Sequence, residues 1–350
     1  MNAFLKEVHA QPAALDGLRR FYAGAGADLL AAMMRVAREN KTTRVLLSGM
    51  GSSLFAAYPA LRFFSERGMP ASMIETSELL HYHVGGVPTD ALVFLVSQSG
   101  ETIETERLLQ RIPGRERLIA VTNVPGSTLG RAGAVTLPIQ AGSSSVGVSA
   151  RSYHNMMATL LLAAESLTGG GNLLDKLGLA SNAMEEFLKG ADGLGDSMAE
   201  FVGNPSSTSI LARGPSLATA HQSAFNLKEL ARFPAEPMSA AQFRHGPIEI
   251  AAQGHLCIVF APLGSTFTLL RKLSEELLGF GTRVVLVTDT QESLRHRAEG
   301  FFAARHPRLD EDLAPLVNLL PIQLLAASRA EQQGLEPGQL SKASAVQRVE

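Results

Sequence analysis

A run of five apolar residues, 92–96, leads directly into a turn that is rich in hydroxyl groups, and this junction constrains the fold more than any other part of the sequence. Uninterrupted apolar residues indicate a strand that is covered on both faces of a parallel sheet. Residues 103–110 then carry apolar side chains at helical spacing. A strand, a short turn and a helix in this order are typical of an α/β fold.

The turn itself, residues 97–102 with the sequence SQSGET, lies at the N-terminus of the predicted helix. Backbone N–H groups there lack partners within the helix, and the helix dipole favours an anion. A single Ser in this position is usually an N-cap, but Ser97, Ser99 and Thr102 together with the amide of Gln98 exceed what a cap needs. We therefore predict a phosphate-binding site at this turn.

The strand–turn–helix pattern occurs throughout the chain and then starts again. Predicted strands cover residues 44–47, 72–75, 92–96, 118–122 and 135–139, and a Gly-rich break at 168–172 follows a helix over 153–167. Strands 209–212, 256–260 and 284–287 follow the break, with predicted helices over 217–232 and up to residue 278. Strands that alternate with helices predict a doubly wound parallel sheet, and the repetition predicts two copies of it. The expected division is an N-terminal helical segment (1–40), two α/β domains (41–170 and 171–335) and a tail (336–350).

Net charge, cysteine content and the length of apolar stretches indicate which partners and which cellular compartment to expect. The 350 residues have a formal net charge of -2 and no concentration of Lys and Arg, so neither nucleic acid nor a membrane surface is an expected partner. The one cysteine, Cys257, lies in an apolar run and is expected to be a buried, inert thiol. No signal peptide and no apolar stretch of membrane-spanning length is recognisable, which predicts a soluble, cytoplasmic protein.

The sequence contains only partial matches to dinucleotide-binding and metal-binding motifs. Gly49 and Gly51 follow a strand, but Leu54 stands where a dinucleotide-binding fingerprint needs a third glycine. His81 and His83 lack nearby cysteine or carboxylate ligands, so no metal is predicted. Taken by pattern alone, Glu229, His245 and Lys342 are an ordinary helix carboxylate, a loop histidine and a lysine in a terminal tail.

Several short motifs together resemble the tandem sugar isomerase (SIS) domain family. They are SQSGET at 97–102, NVPGS at 123–127, LKE at 227–229, RHGP at 244–247 and LPIQLL at 320–325. The pattern is close to the isomerase half of glucosamine-6-phosphate synthase and to the SIS-fold glucosamine-6-phosphate deaminases, over nearly the whole length. The resemblance implies two flavodoxin-like, three-layer α/β/α domains with an N-terminal helix and a C-terminal tail.

The resemblance also implies roles for individual residues. Glu229 would move a proton between C1 and C2 of the sugar, and His245, donated across a homodimer, would open the ring. Lys342 would form a Schiff base with a ketose carbonyl. No cofactor is implied. Residues that would hold the phosphate and nearby hydroxyls of a hexose 6-phosphate or amino-hexose 6-phosphate, or line the sugar, are Ser53, Ser97, Gln98, Ser99, Thr102, Val148 and Ala150.

Departures from the family pattern bear on the substrate. The glutaminase domain of the synthase is absent, so glutamine-derived ammonia is not expected to be used. Asn226 and Arg151 replace lysines of the pattern, and Ser144 replaces a glutamate. We therefore expect an aldose–ketose isomerase that deaminates glucosamine 6-phosphate to fructose 6-phosphate and ammonia. The alternatives are a fructosamine-6-phosphate deglycase and a non-catalytic phosphosugar sensor, although a sensor has no need of an acid/base pair.

Overall fold

The computed structural model describes residues 1–144, 146–291, 300–344 and 346–349, and these residues form two parallel sheets of five strands each. The strands of the first sheet are β1 (Arg44–Gly49), β2 (Ala71–Glu75), β3 (Ala91–Val96), β4 (Leu118–Thr122) and β5 (Val135–Pro138). Those of the second are β6 (Ser207–Ala212), β7 (Glu236–Ser239), β8 (His255–Phe260), β9 (Arg283–Thr288) and β10 (Phe301–Arg305).

Helices connect the strands and cover the sheets. In chain order they are α1 (Ala3–His9), α2 (Gln11–Ala23), α3 (Ala27–Glu39), α4 (Ser52–Phe55), α5 (Tyr58–Glu66), α6 (Thr76–Glu78), α7 (Ile103–Arg111), α8 (Thr128–Ala132), α9 (Arg151–Thr168), α10 (Leu173–Lys189), α11 (Leu194–Val202), α12 (Leu217–Ala231), α13 (Ala240–Phe243), α14 (Phe267–Gly279), α15 (Pro315–Asn318) and α16 (Leu320–Gln332). None of the helices within the described ranges has the length and apolar character needed to cross a lipid bilayer.

The two sheets have the same topology, which confirms the predicted repeat. The first has the strand order β2-β1-β3-β4-β5, and the second has the order β7-β6-β8-β9-β10. This is the flavodoxin-like order, in which the chain changes direction across the sheet between the first and third strands. Ligands bind at that switch point, beside the carboxyl ends of the strands. The candidate positions are therefore the turns that follow β1 and β3, and β6 and β8.

Both faces of the central strands are buried, as the apolar runs predict. In β3, Val93 and Leu95 pack with Leu108 of α7, whereas Phe94 points the other way, towards Phe64 of α5 at 6.3 Å between ring centroids. Alternation of this kind along a strand buries both sides of the sheet only where helices cover each face. The predicted three-layer α/β/α fold is thus confirmed.

The structure differs from the sequence prediction at both edges of the second sheet and in one helix. The edge strands β7 and β10 were not predicted; β7 contains Pro237, which cannot donate to a neighbouring strand and is tolerated at an edge. Residues 54–67 carry apolar side chains at helical spacing, which predicts one helix, but the structure divides this stretch between α4 and α5. Pro59, in the first turn of α5, lacks an N–H group and would clash with the carbonyl of Phe55 in a continuous helix.

The chain forms two compact units. The first unit is Ala10–Ser181 with the described part of Ser341–Glu350, and the second unit is Met1–His9 with Asn182–Leu340. The first unit contains β1–β5, and the second contains β6–β10. The part of the C-terminal tail that begins at Ser341 and carries Lys342 thus belongs to the same unit as the hydroxyl-rich turn.

Candidate active site

The hydroxyl-rich turn, residues 97–102, joins β3 to α7 and is called the phosphate turn below. Ser97 is buried, and its N–H donates to the carbonyl of Val121 at 3.0 Å, which extends the pairing of β3 with β4. The Ser97 Oγ accepts the N–H of Gly100 at 3.1 Å, and the Ser99 Oγ accepts the N–H of Glu101 at 3.2 Å. These two hydroxyls therefore shape the turn, and each keeps its own O–H as a donor for a ligand.

Gly100 allows the turn to close. Its φ of 67° lies in the left-handed region that favours glycine, and a Cβ atom here would collide with the side chain of Ser127. Ser127 in turn accepts the N–H of Gly130 at 3.2 Å and caps α8. The phosphate turn is thus packed directly against the start of α8.

The start of α7 has an unusual set of partners. Thr102 is the N-cap residue, but its side chain caps no backbone N–H of the helix and instead donates to the Thr105 Oγ1 at 2.8 Å. The N–H of Ile103 donates to the carbonyl of Gln347 in the C-terminal tail at 3.1 Å. Lys342 is exposed and lies five residues before Gln347. The tail therefore reaches the phosphate turn within the first unit, a contact that no local pattern predicts.

Ser53 lies after β1, the neighbour of β3 in the sheet, and so belongs to the same switch point. It is buried, and its hydroxyl donates to the Sδ of Met156 at 3.5 Å, a weak acceptor. Gly49 makes this position possible, because a Cβ on Gly49 would lie 2.9 Å from the backbone nitrogen of Leu54. The close approach of α4 to β1 brings Ser53 to the carboxyl edge of the sheet.

Gln98 lines an open cleft of about 580 Å³ with residues from the ends of β4 and β5. Asn123, which was not predicted as a site residue, fixes one wall of this cleft. Its Nδ2 donates to the carbonyl of Gly142 at 2.7 Å, and its Oδ1 accepts the N–H of Ala141 at 2.9 Å. Ser144, one of the departures from the family pattern, lies on the rim of this cleft.

Val148 and Ala150 precede α9 and are each only 2% exposed. The carbonyl of Ala150 faces the Nδ1 of His154 at 3.2 Å. Since both side chains are buried, any contact of this segment with a sugar would involve the backbone. Their predicted role at the sugar stays a prediction.

In the second unit, Glu229 is a half-buried carboxyl group on α12, the helix that follows β6. Burial raises the pKa of Glu229 from 4.5 to about 7. The adjacent Lys228 pairs with Glu236 at 2.8 Å. One turn earlier, Asn226 is fully buried, and its amide finds no hydrogen-bond partner among the described residues. Glu229 is therefore poised to gain and lose a proton near neutral pH.

His245 is exposed in a turn after α13, where its backbone N–H donates to the carbonyl of Gln242 at 3.0 Å. Gly246 has a φ of 121°, which lets the chain reverse immediately after the histidine. The turn therefore presents the imidazole to solvent in the single chain.

Two other kinds of site would supply further chemistry: a cysteine nucleophile at Cys257 and a cluster of metal ligands. Cys257 is buried in β8, as predicted, and burial raises the pKa of its thiol to about 12. A thiol with that pKa is not a nucleophile near neutral pH. Within the described ranges, no group of three or more His, Cys, Asp or Glu side chains is arranged to bind a metal ion.

Comparison with known proteins agrees with this architecture. The SIS domain family model matches residues 40–166 and 204–327. The glutamine–fructose-6-phosphate aminotransferase of Methanothermobacter thermautotrophicus is 29% identical over 95% of this chain and 55% of its own length. That of Thermococcus kodakarensis is 28% identical over 95% of this chain and 56% of its own length. The chain thus spans little more than half the length of these relatives.

Solved structures share the fold over the full chain. The C-terminal domain of glucosamine-fructose-6-phosphate aminotransferase from Francisella tularensis superposes with a TM-score of 0.84 at 20% identity, covering 97% of this chain and 98% of its own. Glucosamine-6-phosphate deaminase from Thermotoga maritima gives a TM-score of 0.75 at 19% identity, covering 99% and 100%. With two matched segments that each contain one of the parallel sheets, the chain belongs to the SIS domain family.

Proposed function

We propose that this protein is an aldose–ketose isomerase of amino-sugar phosphates that deaminates glucosamine 6-phosphate to fructose 6-phosphate. The observation that carries the proposal is Glu229, a half-buried carboxyl group whose pKa is raised to about 7. A group of this kind accepts a proton from carbon and returns it at the same pH, which aldose–ketose isomerisation requires. A protein that only binds sugar phosphates has no use for it.

The phosphate turn supplies binding. The O–H groups of Ser97 and Ser99 and the N–H groups of Glu104 and Thr105 in the first turn of α7 offer donors to a phosphate, and the helix dipole adds a favourable potential. Ser53 contributes a further hydroxyl, since its present partner, a thioether, is easily exchanged for a phosphate oxygen. These contacts are the same before and after proton transfer, so they hold the substrate and do not themselves accelerate the reaction.

The chemistry then follows in three proton movements. His245 passes a proton from the C1 hydroxyl to the ring oxygen, the ring bond to C1 breaks, and the aldehyde forms. Glu229 takes the proton from C2 while the C1 oxygen gains one, and then returns a proton to C1 while the nitrogen loses one. The product is the C2 imine, to which water adds; the C–N bond breaks and ammonia leaves.

Lys342 has a separate part in the proposal. After ammonia has left, the amine of Lys342 adds to the C2 carbonyl of the ketose and water leaves, which gives a Schiff base that holds the ketose until water hydrolyses it again. Support comes from the hydrogen bond between Gln347 and Ile103, which ties the tail that carries Lys342 to the phosphate turn of the same unit. The exposed position of His245 is compatible with its donation to a second copy of the chain in a homodimer.

Free ammonia is the nitrogen product in this proposal. Glutamine hydrolysis by a cysteine needs an accessible thiolate, and the one cysteine of the sequence is buried with a pKa of about 12. The names of the two relatives above include glutamine, and the chain matches about half of their length.

A substrate panel tests the proposal. The full chain is incubated with glucosamine 6-phosphate, with the fructosamine 6-phosphate adduct of lysine, and with fructose 6-phosphate. Equal amounts of ammonia and fructose 6-phosphate from the first substrate are the expected result. Release of lysine from the adduct alone would instead identify a deglycase, and binding of all three without turnover would identify a sensor. Glu229→Gln is the inactive variant, and Glu249→Gln, at an exposed position of the same unit, is its matched control.

A further inference from the structure

The second unit contains a cleft of about 230 Å³ that is separate from the residues discussed above. It lies between α13 and α14, and Arg213, the first residue after β6, forms one end of it. Because β6 and β8 are the two strands at which the chain changes direction across this sheet, the cleft borders the switch point of the second unit. We call it the cationic cleft, after Arg213, Arg244 and Lys272.

The charge of this cleft is strongly positive. Arg213, Arg244 and Lys272 line it together with a single carboxylate, Glu276. Glu276 pairs with Arg244 at 2.7 Å. Within residues 1–144, 146–291, 300–344 and 346–349, no ion pair is formed by Arg213 or Lys272. Two cations thus face the cleft without a compensating charge, and a guanidinium is well suited to a carboxylate or a phosphate.

The floor of the cationic cleft is apolar. Ala240, Leu270 and Leu273 are 3%, 2% and 1% exposed and belong to the core beneath α14, whereas Leu269 on the rim is 54% exposed. The floor is closed by packing, and Leu269 supplies the apolar surface that a bare inorganic ion would leave uncovered. A ligand that carries both an anionic group and a short apolar group would contact the cations and Leu269 together.

Two backbone donors at this switch point already bind carboxylates. They lie in the turn after β8, which corresponds to the phosphate turn of the first unit. The N–H and hydroxyl of Ser265 donate to the Oε2 of Glu311 at 3.2 and 2.9 Å, and the N–H of Leu263 donates to the Oδ1 of Asp289 at 2.7 Å. An anion at this turn would meet the carboxylates of Glu311 and Asp289, whereas the cationic cleft offers side-chain cations.

We propose that the cationic cleft is a second anion-binding site, which takes a small organic anion with a short apolar group. The site is distinct from the phosphate turn and does not depend on the deaminase activity proposed above. Its volume suits a ligand the size of a short-chain phosphate ester or carboxylate.

Calorimetric titration at low ionic strength tests this site, with n-butyl phosphate, pentanoate and inorganic phosphate as probes. The wild-type chain is compared with Arg213→Gln/Lys272→Gln. The matched control, Arg20→Gln/Lys189→Gln, loses the same two charges from exposed ion pairs elsewhere. The cleft variant is expected to bind at least one organic probe about tenfold more weakly than the wild type and the control do. Inorganic phosphate is expected to bind the cleft more weakly than n-butyl phosphate.

Comparison of n-butyl phosphate with pentanoate shows which anionic group the cleft prefers. Unchanged affinity of the cleft variant for both organic probes, or an equal loss in the control variant, would overturn the proposal. Lys272→Gln alone, at an exposed position of α14, provides a milder variant whose thermal unfolding is expected to match the wild type. Titration with glucosamine 6-phosphate should be unaffected by either cleft variant, which separates this test from that of the proposed function.

Discussion

The carboxylate of Glu101 joins the phosphate turn to the start of α8 through Thr128. Its Oε1 accepts the N–H of Thr128 at 2.7 Å, and its Oε2 accepts the hydroxyl of Thr128 at 2.8 Å. These two hydrogen bonds lower the pKa of Glu101 below its usual 4.5, and the bond from the backbone N–H of Thr128 has the larger effect. The acidic residue of the turn is thus bound to the start of α8, and its charge stabilises the N-terminus of that helix.

Glu101→Gln should reduce the free energy of unfolding at pH 7 by about 1 kcal/mol, because a charged acceptor is replaced by a neutral one. A depressed pKa in the folded state stabilises the protein above the unfolded-state pKa of 4.5, and this contribution is lost as the pH falls through the folded-state pKa. Urea unfolding at pH 7 and pH 4 measures both effects. Glu39→Gln, exposed in the same unit, is the control; a difference from wild type that is equal at both pH values would contradict the assignment.

Gly100→Ala should destabilise the first unit and weaken hexose 6-phosphate binding. The new Cβ would both strain a backbone at φ 67° and collide with Ser127. Gly68→Ala separates the two effects, since Gly68 has a φ of 76° with nothing within 4 Å of the added Cβ. Backbone strain should reduce the free energy of unfolding of both variants by about 1–3 kcal/mol, and the collision with Ser127 should reduce that of Gly100→Ala further. Equal unfolding free energies of the two variants would show that the contact with Ser127 is unimportant.

Ser99→Ala combined with Thr102→Val should raise KM for a hexose 6-phosphate by about tenfold or more and leave kcat nearly unchanged. In the proposed function both hydroxyls bind the phosphate, which does not change during the reaction, so their loss weakens the binding of substrate and of transition state alike. Steady-state kinetics gives both constants. Ser65→Ala, which removes a hydroxyl from an exposed helix position, should change neither. A large fall in kcat with unchanged KM would argue against a phosphate-binding role.

The contribution of Glu229 to the free energy of unfolding of the second unit should fall as the pH rises. Its folded-state pKa of about 7 lies above the unfolded value of 4.5, so the folded protein holds the proton more tightly. The associated stability is fully present below pH 4.5 and is lost between pH 4.5 and about 7. Glu229→Gln should therefore be more stable than wild type at pH 8 by roughly 1–3 kcal/mol, and by much less at pH 5. Glu249→Gln should show no such trend in urea unfolding.

The sequence predicts the central strands of both sheets better than the edge strands of the second sheet, because the central strands are fully buried. Strands β3, β4 and β8 are buried at every position, and an uninterrupted apolar run identifies such a strand without further information. The edge strand β7 includes Pro237 and the exposed Glu236, and β10 is mostly half-buried. Short edge strands of this kind have no periodic pattern that distinguishes them from loops.

The same contrast holds at the candidate site. Ser97, Ser99 and Thr102 are recognisable because their turn follows a strand and precedes a helix, which is a local signal. The role of Glu101 depends on Thr128, 27 residues further along, and the partner of Ile103 is Gln347 in the tail. Likewise, the raised pKa of Glu229 arises from burial by the fold, and its immediate neighbours in sequence do not reveal it.

Ammonia release from glucosamine 6-phosphate, measured in parallel for wild type and Glu229→Gln, tests the central claim most directly. Binding of the sugar phosphate to both proteins, followed by calorimetry, shows that each is folded and has an intact phosphate turn. We expect wild type to release ammonia and fructose 6-phosphate in equal amounts, and Glu229→Gln to be slower by about 10²–10⁴-fold with similar binding. Absence of ammonia release by wild type that binds the substrate, or full activity of Glu229→Gln, would contradict the account.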